Sequence, residues 1–283
     1  MTDFVDTNAL AYSGRVLEPA RQAQRARRWG WWYQAEWRLI AMKAYWTSLV
    51  GSSLLTPVLY LVAMGIGLGT LVDAGSGGVA GVPYLTFVAP GLLVSTVVMS
   101  AGSEATFPVM DGFKWSKLYF ARSATAASPL QVAVGEVVAV GIRFLVEAAI
   151  FWTILVVAGV VGLGSWPMIM VGGLAAMALA TPLMAYAATL ENEGYQFSMV
   201  QRFVIAPMFL FAGTFFPLES MPIYLQWIGW ISPMWHGTQL ARLLGFGLPV
   251  SGGMVVVHLA VLIGLTVGGT VLASRTFTRR LVR

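Results

Sequence analysis

The stretch from Ala148 to Leu190 contains no charged residue. A helix needs about 20 apolar residues to cross a bilayer, so this stretch is long enough for two crossings. Residues 162–167 (Gly-Leu-Gly-Ser-Trp-Pro) supply a turn between them. Only 10% of the 283 residues are charged, whereas a soluble domain has about 25%. The sequence therefore predicts an integral membrane protein.

Other apolar runs, uncharged except for Glu147, complete a set of six predicted transmembrane spans. The predicted spans are 49–72, 84–103, a third helix that starts after Pro129 with its apolar part at 144–161, 168–190, 203–218 and 254–274. Together they predict an all-α, polytopic membrane fold with one transmembrane domain over residues 49–283.

The chain before the first span divides into two predicted segments. Residues 1–28 are polar and irregular, and we interpret them as a cytoplasmic tail. In residues 29–48, Trp29, Trp37 and other aromatic residues alternate with Arg38 and Lys43. This mixture is typical of an amphipathic helix in the membrane interface, whose aromatic rings lie at headgroup depth while the cations reach toward water.

The distribution of lysine and arginine predicts the orientation. Six spans place both termini on the same side, and that side has 15 of the 17 lysines and arginines. Arg242 lies on the opposite side and Arg143 lies within the third helix. Because cationic loops stay in the cytoplasm, both termini are predicted to be cytoplasmic.

A second apolar run, 221–231, follows the predicted fifth span and is too short to cross a bilayer. It is bounded by Pro222 and Pro233 and is rich in Trp and Tyr. Such a segment beside a true span is typical of a re-entrant or interfacial element. The sequence thus predicts a re-entrant helical hairpin over 219–248, on the outer face.

The sequence lacks the motifs of the common catalytic classes. It has no cysteine, and no lysine precedes Ser or Thr as a P-loop requires. It has no G-x-S-x-G or H-E-x-x-H motif, and its two histidines, His236 and His258, are too few for a histidine metal cluster. We therefore expect no catalytic, metal or cofactor site on this chain and no nucleic-acid partner. A lipid-modifying enzyme is the least favoured hypothesis.

Three charged residues lie on one face of the third helix. Glu136, Arg143 and Glu147 are spaced i, i+7 and i+11, so they share that face. Charges at membrane depth are costly and usually face protein or water. One interpretation is a structural or gating ladder of ion pairs. The alternative is a cation or proton relay, which would make the chain an ion-coupled secondary transporter.

The order of an amphipathic basic helix, six spans and an outer hairpin resembles the type-2 ABC transporter permeases. The resemblance is closest to the branch that contains the nodulation lipo-oligosaccharide exporter permease together with polysaccharide and drug exporters. The stretches that resemble it are 54–72, 84–107, Gly135-Glu136 followed by Arg143, and 207–242 through Phe216-Pro217, Pro222, Pro233, His236 and Arg242. A longer N-terminal tail and Glu147 depart from the pattern of the branch.

The resemblance implies that transport and ATP binding are carried out by different chains. A permease of this kind pairs with an identical or a paralogous permease, and separate ATP-binding cassette subunits hold the ATP and Mg. It would export an amphipathic cargo, namely a glycolipid, a lipid-linked saccharide or a hydrophobic drug. It would sit among lipids in the cytoplasmic membrane of a bacterium.

The resemblance also implies roles for particular residues. The loop 105–129 would couple to the ATPase subunit through Asp111, Phe113, Lys114, Trp115, Lys117, Leu118 and Tyr119. The dimer interface and translocation path would use Gly65, Gly69, Phe203, Met208, Phe211 and Phe215. An outer cap would contain Phe216, Trp227, Trp230 and His236. The alternatives are a plain interfacial loop for the first set, lipid-facing or core packing for the second, and a structural hydrogen bond for His236.

Overall fold

A computed structural model describes residues 19–45, 51, 55, 58–192 and 195–283. The part of the predicted tail before Pro19 and most of the predicted start of the first span lie outside the described residues. The described residues form helices joined by short turns, and Val79 and Val82 form an isolated antiparallel β-bridge. The prediction of an all-α membrane fold is confirmed.

The helices follow one another along the chain with few long connections. In chain order they are α1 (Pro19–Met42), α2 (Val58–Ser76), α3 (Tyr84–Glu104), α4 (Phe107–Met110), α5 (Leu118–Ser123), α6 (Pro129–Val157), α7 (Pro167–Thr189), α8 (Gln196–Phe211), α9 (Ile223–Trp230), α10 (Pro233–Phe246) and α11 (Gly252–Val282).

Five of the described helical segments are long and apolar enough to cross a membrane. They contain α2, α3 with its continuation to Trp115, α6, α7 and α11. The helix of the predicted fifth span is shorter and shifted: α8 covers Gln196–Phe211 rather than 203–218. A π-helical turn precedes Pro207, which has no N–H to donate, and Gly213 has φ +75° just beyond the helix end.

The helices α3 and α7 form the centre of the bundle, where most of their residues are buried. Helix α11 packs along α7 and leaves most of its surface exposed. The two helices approach closely at Gly269, where a Cβ atom would lie 2.5 Å from the backbone nitrogen of Pro182. Thr181 on α7 also donates to the Thr266 carbonyl of α11 at 3.1 Å.

The first helix begins earlier than the predicted boundary at residue 28. Helix α1 starts at Pro19, and residues 20–28 contain Ala, Arg and Gln, which favour helix, after a proline in the first turn. Helix α1 lies against α6, where a Cβ on Gly135 would be 2.7 Å from the Trp31 carbonyl. The Gln131 amide also donates to the carbonyls of Ala26 and Arg27. The helix predicted to lie in the interface is therefore fixed to the bundle.

Two short helices, α9 and α10, follow α8 in the region predicted as the outer hairpin. Their 8 and 14 residues are too few to cross a bilayer. Pro233 is the first residue of α10, and Pro222 caps α9. The structure thus places a helical pair over most of 219–248. Re-entry of this pair into the membrane stays a prediction.

Candidate functional site

The loop predicted to couple to an ATPase is folded into α4, a π-helical turn over Asp111–Trp115, and α5. Phe113 and Tyr119 are buried within the chain, with ring centroids 4.8 and 5.2 Å from that of Phe277 on α11. The guanidinium carbon of Arg280 lies 4.3 Å from the Phe113 ring centroid. These aromatic contacts attach the loop to the end of the last helix.

The exposed part of this loop differs from the predicted docking set. Phe113 and Tyr119 are buried in the described structure, and the docking role predicted for them stays a prediction. Trp115 is 50% exposed, Lys117 is exposed with φ 53°, and Phe120, which was not predicted, is 39% exposed. Asp111, Leu118 and Lys114 are half-buried, and Lys114 donates to the Asn192 side chain at 3.2 Å.

A largely buried network of ion pairs connects this loop with α1, α3 and α6. Arg38 on α1 bridges two carboxylates: its Nη2 is 2.8 Å from Glu104 Oε1, and its Nε is 3.0 Å from Glu136 Oε1. Glu104 ends α3 and Glu136 lies in α6, and both side chains are almost fully buried. Buried carboxylates need paired charges to offset their lost hydration. Arg38 therefore ties the first helix to two spans at once.

Arg122 extends the network into the coupling loop. Its Nη1 is 3.0 Å from Glu136 Oε2, and it donates to the side chain and the carbonyl of Gln34 on α1. Its guanidinium carbon lies 4.9 Å from the Trp37 ring centroid. Burial, with a contribution from Glu136, raises the pKa of the neighbouring Tyr119 hydroxyl well above its usual value. Ion pairs and hydrogen bonds of Arg38, Arg122 and Glu136 thus join the loop, α1 and α6.

The predicted ladder of Glu136, Arg143 and Glu147 is built mainly across helices rather than along α6. Arg143 pairs with Glu104 on α3, and Glu147 is buried in the bundle. We call the set Arg38, Glu104, Arg122, Glu136 and Arg143 the charged junction. Sequence reasoning missed three of its members. The only signal for Glu104 was a carboxylate at the end of an uncharged span.

The residues predicted to line a dimer interface and a path have different environments. Gly65 and Gly69 face α3, where a Cβ on Gly65 would be 2.8 Å from Leu85 and one on Gly69 3.8 Å from Tyr84. Met208 is buried, whereas Phe203 is 68% exposed. Phe211 and Phe215 are half-buried, and the Phe215 ring centroid is 5.2 Å from that of Phe209.

An apolar cleft of about 660 Å³ lies beside α8. Its walls come from α7, α8, α9 and α11, and they include the predicted residues Phe203, Met208 and Trp227. Most of the other lining residues, such as Leu179 and Ile231, are also apolar. The cleft therefore matches the chemistry of a hydrocarbon chain.

Arg242 holds the turn between α8 and α9. This buried residue on α10 donates to the carbonyls of Gly213 and Thr214 at 2.8 and 2.9 Å, and to that of Phe87 at 3.1 Å. Ser95 on α3 and Thr214 share a further hydrogen bond of 2.7 Å. Carbonyls beyond a helix end are costly in an apolar surrounding unless donors reach them. Arg242 supplies those donors where the chain leaves α8.

The residues of the predicted outer cap fall into two groups. Trp227 and Trp230 on α9 and Phe216 before it are partly exposed, at 53, 49 and 37%. His236 is buried and bonds at Nε2 to the Trp230 carbonyl, 3.0 Å away, and at Nδ1 to His258 Nδ1, 2.7 Å away. The aromatic rings therefore form a surface of the hairpin, while His236 joins α9, α10 and α11.

Comparison with known proteins shows the family to which the sequence is similar. Residues 31–246 match the family model described as ABC-2 type transporter. The chain is similar to nodulation protein J of Rhizobium leguminosarum bv. viciae, with 29% identity over 88% of this chain and 95% of that protein. It is also similar to nodulation protein J of Sinorhizobium fredii, with 29% identity over 90% of this chain and 95% of that protein. It is similar as well to nodulation protein J of Rhizobium meliloti, with 28% identity over 83% of this chain and 87% of that protein.

Proposed function

Since the chain belongs to the ABC-2 type transporter family, which makes it a membrane transport subunit, we propose that it forms the translocation path of an ATP-driven exporter. It works as a dimer with a second copy or a paralogous permease, docked to separate ATP-binding subunits. The cargo is amphipathic: a glycolipid, a lipid-linked saccharide or a hydrophobic drug. The observation that carries the proposal is the match to nodulation protein J over nearly the whole chain.

The docking surface for the ATPase subunit is the exposed part of the coupling loop. Trp115, Lys117 and Phe120 present two aromatic rings and a cation at one end of the bundle. An exposed aromatic side chain beside a cation suits a groove on a partner with acidic edges. The ATP and its Mg are held by that partner, and the cytoplasmic location of this end follows the proposed orientation.

Through the charged junction, a movement of the coupling loop can be transmitted to the membrane helices. A displacement of α5 moves Arg122, which contacts Glu136 on α6 and Gln34 on α1. Glu136 in turn shares Arg38 with Glu104 on α3. A push on the loop by the ATPase subunit therefore reaches α1, α3 and α6 together. We infer that this set of contacts transmits the closure of the ATPase subunits to the path.

The apolar cleft accounts for the hydrophobic half of an amphipathic cargo. It borders α8 and the outer helix α9, so a hydrocarbon chain in it lies next to the predicted outer cap. Its volume of about 660 Å³ falls in the range of small-ligand sites, about 300–1,000 Å³. Trp227 lines the cleft and belongs to the cap, so a cap movement changes the cleft.

The ion-coupled alternative draws less support from the charged residues. Glu136 lies 3.0 Å from two guanidinium groups, Arg38 and Arg122. Such pairing engages the carboxylate with two arginines of the chain and leaves less room for a transported cation. Glu147, the other acid of the set, is buried and stays the residue for which a relay role has a place.

Reconstitution tests the proposed function directly. The chain is co-expressed with a candidate ATP-binding cassette subunit, purified and placed in liposomes of bacterial lipid. We expect the two to purify together with a permease dimer, and ATP to drive a fluorescent lipid-linked saccharide or a hydrophobic dye across the bilayer. A chain that isolates as a monomer without an ATPase, or transport that an ion gradient drives without ATP, contradicts the proposal.

A further inference from the structure

A cavity of about 410 Å³ lies at the end of the bundle that has the coupling loop. Helix α5, the end of α7 and the last turns of α11 meet there, and the walls include Phe120, Glu191, Arg279, Arg280 and Arg283. Of these residues, the proposed function uses only Phe120. Three arginine side chains against one glutamate leave an excess of two positive charges, so the cavity suits an anion.

Two of the three arginines are available to a ligand. Arg280 is engaged by the chain itself, because its Nη1 donates to the carbonyls of Ala188 and Leu190 at 3.0 and 2.7 Å. These carbonyls lie at the end of α7, where a helix lacks its own donors. Arg279 and Arg283 are exposed, and their side chains form no ion pair with another residue that the structure describes. They lie one helical turn apart, so one anion can contact both.

The position of these arginines along α11 matches the level of lipid headgroups. Residues 252–274 contain no Asp, Glu, Lys or Arg. At about 1.5 Å per residue, this part of the helix is long enough to cross a hydrocarbon core of about 30 Å. Arg275 therefore lies at the edge of the core. Arg279 lies one turn further, about 6 Å along the axis, where the phosphates of a bilayer are found.

An exposed apolar ridge on α11 leads from the hydrocarbon core to the cavity. Ile263, Val267 and Val271 are 49, 57 and 43% exposed, and each stands four residues before the next. Residues at this spacing form one ridge on a helix surface. The same row continues through Arg275 and Arg279, which are exposed as well. The ridge thus changes from apolar to cationic at headgroup depth, as the surface of a phospholipid changes from acyl chain to phosphate.

We propose that the cavity at the ends of α5, α7 and α11 binds the headgroup of an anionic phospholipid, with Arg279 and Arg283 on its phosphate. Guanidinium groups suit phosphate oxygens because they donate two parallel hydrogen bonds. Glu191 selects among phospholipids, since its carboxylate accepts from a headgroup hydroxyl such as those of phosphatidylglycerol. An acyl chain lies on the apolar ridge. The binding requires neither ATP nor a partner chain, so it does not depend on the proposed function.

Native mass spectrometry of the purified, delipidated chain in a neutral detergent tests this binding. The probes are phosphatidylglycerol, phosphatidylethanolamine and inorganic phosphate. We expect phosphatidylglycerol to bind saturably and at least about fivefold more tightly than phosphatidylethanolamine. Arg279→Gln should weaken its binding about fivefold, the effect of one basic residue near a lipid surface. Arg202→Gln removes the same charge from an exposed arginine of α8 outside the cavity and serves as the matched control.

Glu191→Gln separates the two lipids, because it removes a negative charge from the cavity. Phosphatidylglycerol should then bind equally well or more tightly. Tighter binding of phosphatidylethanolamine than of phosphatidylglycerol, lost in Glu191→Gln, would overturn the inference, since the carboxylate would then hold an ammonium group.

Three other results also overturn the inference. The first is an equal loss of phosphatidylglycerol binding in Arg279→Gln and Arg202→Gln, which would reflect net charge alone. The second is inorganic phosphate that binds as tightly as the lipid, which would indicate a site for a free anion. The third is weaker binding of the ATPase subunit by Arg279→Gln with unchanged lipid binding, which would assign the surface to that partner. Lipid binding without ATP-driven transport counts against the proposed function alone.

Discussion

Arg242 is the residue on which the outer turn depends most. It is fully buried, and three carbonyls accept its hydrogen bonds. Its guanidinium also stacks 3.7 Å from the Phe87 ring centroid. Sequence inspection marked this arginine as the exception to the positive-inside pattern. The structure gives a physical reason for the exception, because the carbonyls of the turn at Gly213 accept from Arg242 and from no backbone N–H in the described part of the chain.

Arg242→Met removes those donors and leaves the Gly213 and Thr214 carbonyls without partners. We expect the free energy of unfolding to fall by about 2–4 kcal/mol, the scale for buried hydrogen bonds that involve a charged group. Denaturation in mixed SDS micelles, followed by circular dichroism, measures the change. Arg279→Met, on an exposed arginine of α11, should have little effect. Equal losses in the two variants would show that Arg242 contributes only a charge.

Glu136 is the second decisive residue because it lies between two cations. Glu136→Gln leaves Arg38 and Arg122 without their shared anion, and breaking a buried pair on one side costs about 3–5 kcal/mol. We expect lower stability and a loss of cargo-stimulated ATP hydrolysis in the reconstituted complex. Glu36→Gln, on the exposed face of α1, is the control. Unchanged ATP coupling together with lost gradient-driven transport would favour the ion-coupled alternative.

At the scale of elements, α7 and α11 approach each other closely at Gly269. A Cβ there would lie 2.3 Å from Thr181 Oγ1 and 2.5 Å from the Pro182 backbone. Gly264 lies on the same helix, and a Cβ there would have no atom within 4 Å in the described structure. The two glycines therefore form a matched pair, with one at a crossing and one on an open face.

Gly269→Ala forces α7 and α11 apart, because the backbone of Pro182 cannot rotate away from the new methyl group. We expect a loss of about 1–3 kcal/mol in the free energy of unfolding, as for overpacked cores. Gly264→Ala should be neutral or stabilising by up to about 1 kcal/mol, since alanine favours helix more than glycine. Melting of the isolated chain in detergent compares the two. A larger loss at Gly264 would place the crossing elsewhere along α11.

The existence of most elements follows from the sequence, and their pairings do not. Uncharged runs locate α3, α7 and α11 because only apolar side chains suit a lipid surrounding. The early end of α8 was missed because composition alone does not show that the chain turns at Gly213. The charged junction was missed because helical spacing relates residues on one helix, whereas Arg38, Glu104 and Glu136 come from three. Those pairs depend on tertiary packing.

At the scale of the whole molecule, the two ends of the bundle have different chemistry. The end with α4 and α5 has the charged junction, in which buried charges are paired across helices. The end with α9 and α10 has an apolar cleft and a second cavity whose walls are partly polar. An amphipathic molecule needs both an apolar and a polar environment, and this end offers both. The arrangement fits a permease driven from one end that releases cargo at the other.

Because the two ends have different proposed roles, we expect substitution of an exposed tryptophan to weaken ATPase binding at one end and not at the other. Trp115 in the coupling loop and Trp166 between α6 and α7 are similarly exposed, at 50 and 56%. Trp115→Ala should weaken ATPase binding by about tenfold or more, since an aromatic side chain at the centre of an interface commonly contributes about 2 kcal/mol. Trp166→Ala should leave it unchanged, because that residue lies in the predicted outer turn. Pull-down of the ATPase subunit with each variant, at equal folding yield, measures the difference. If Trp166→Ala weakened binding and Trp115→Ala did not, the ATPase would dock at the other end, and the proposed orientation of the whole chain would be reversed.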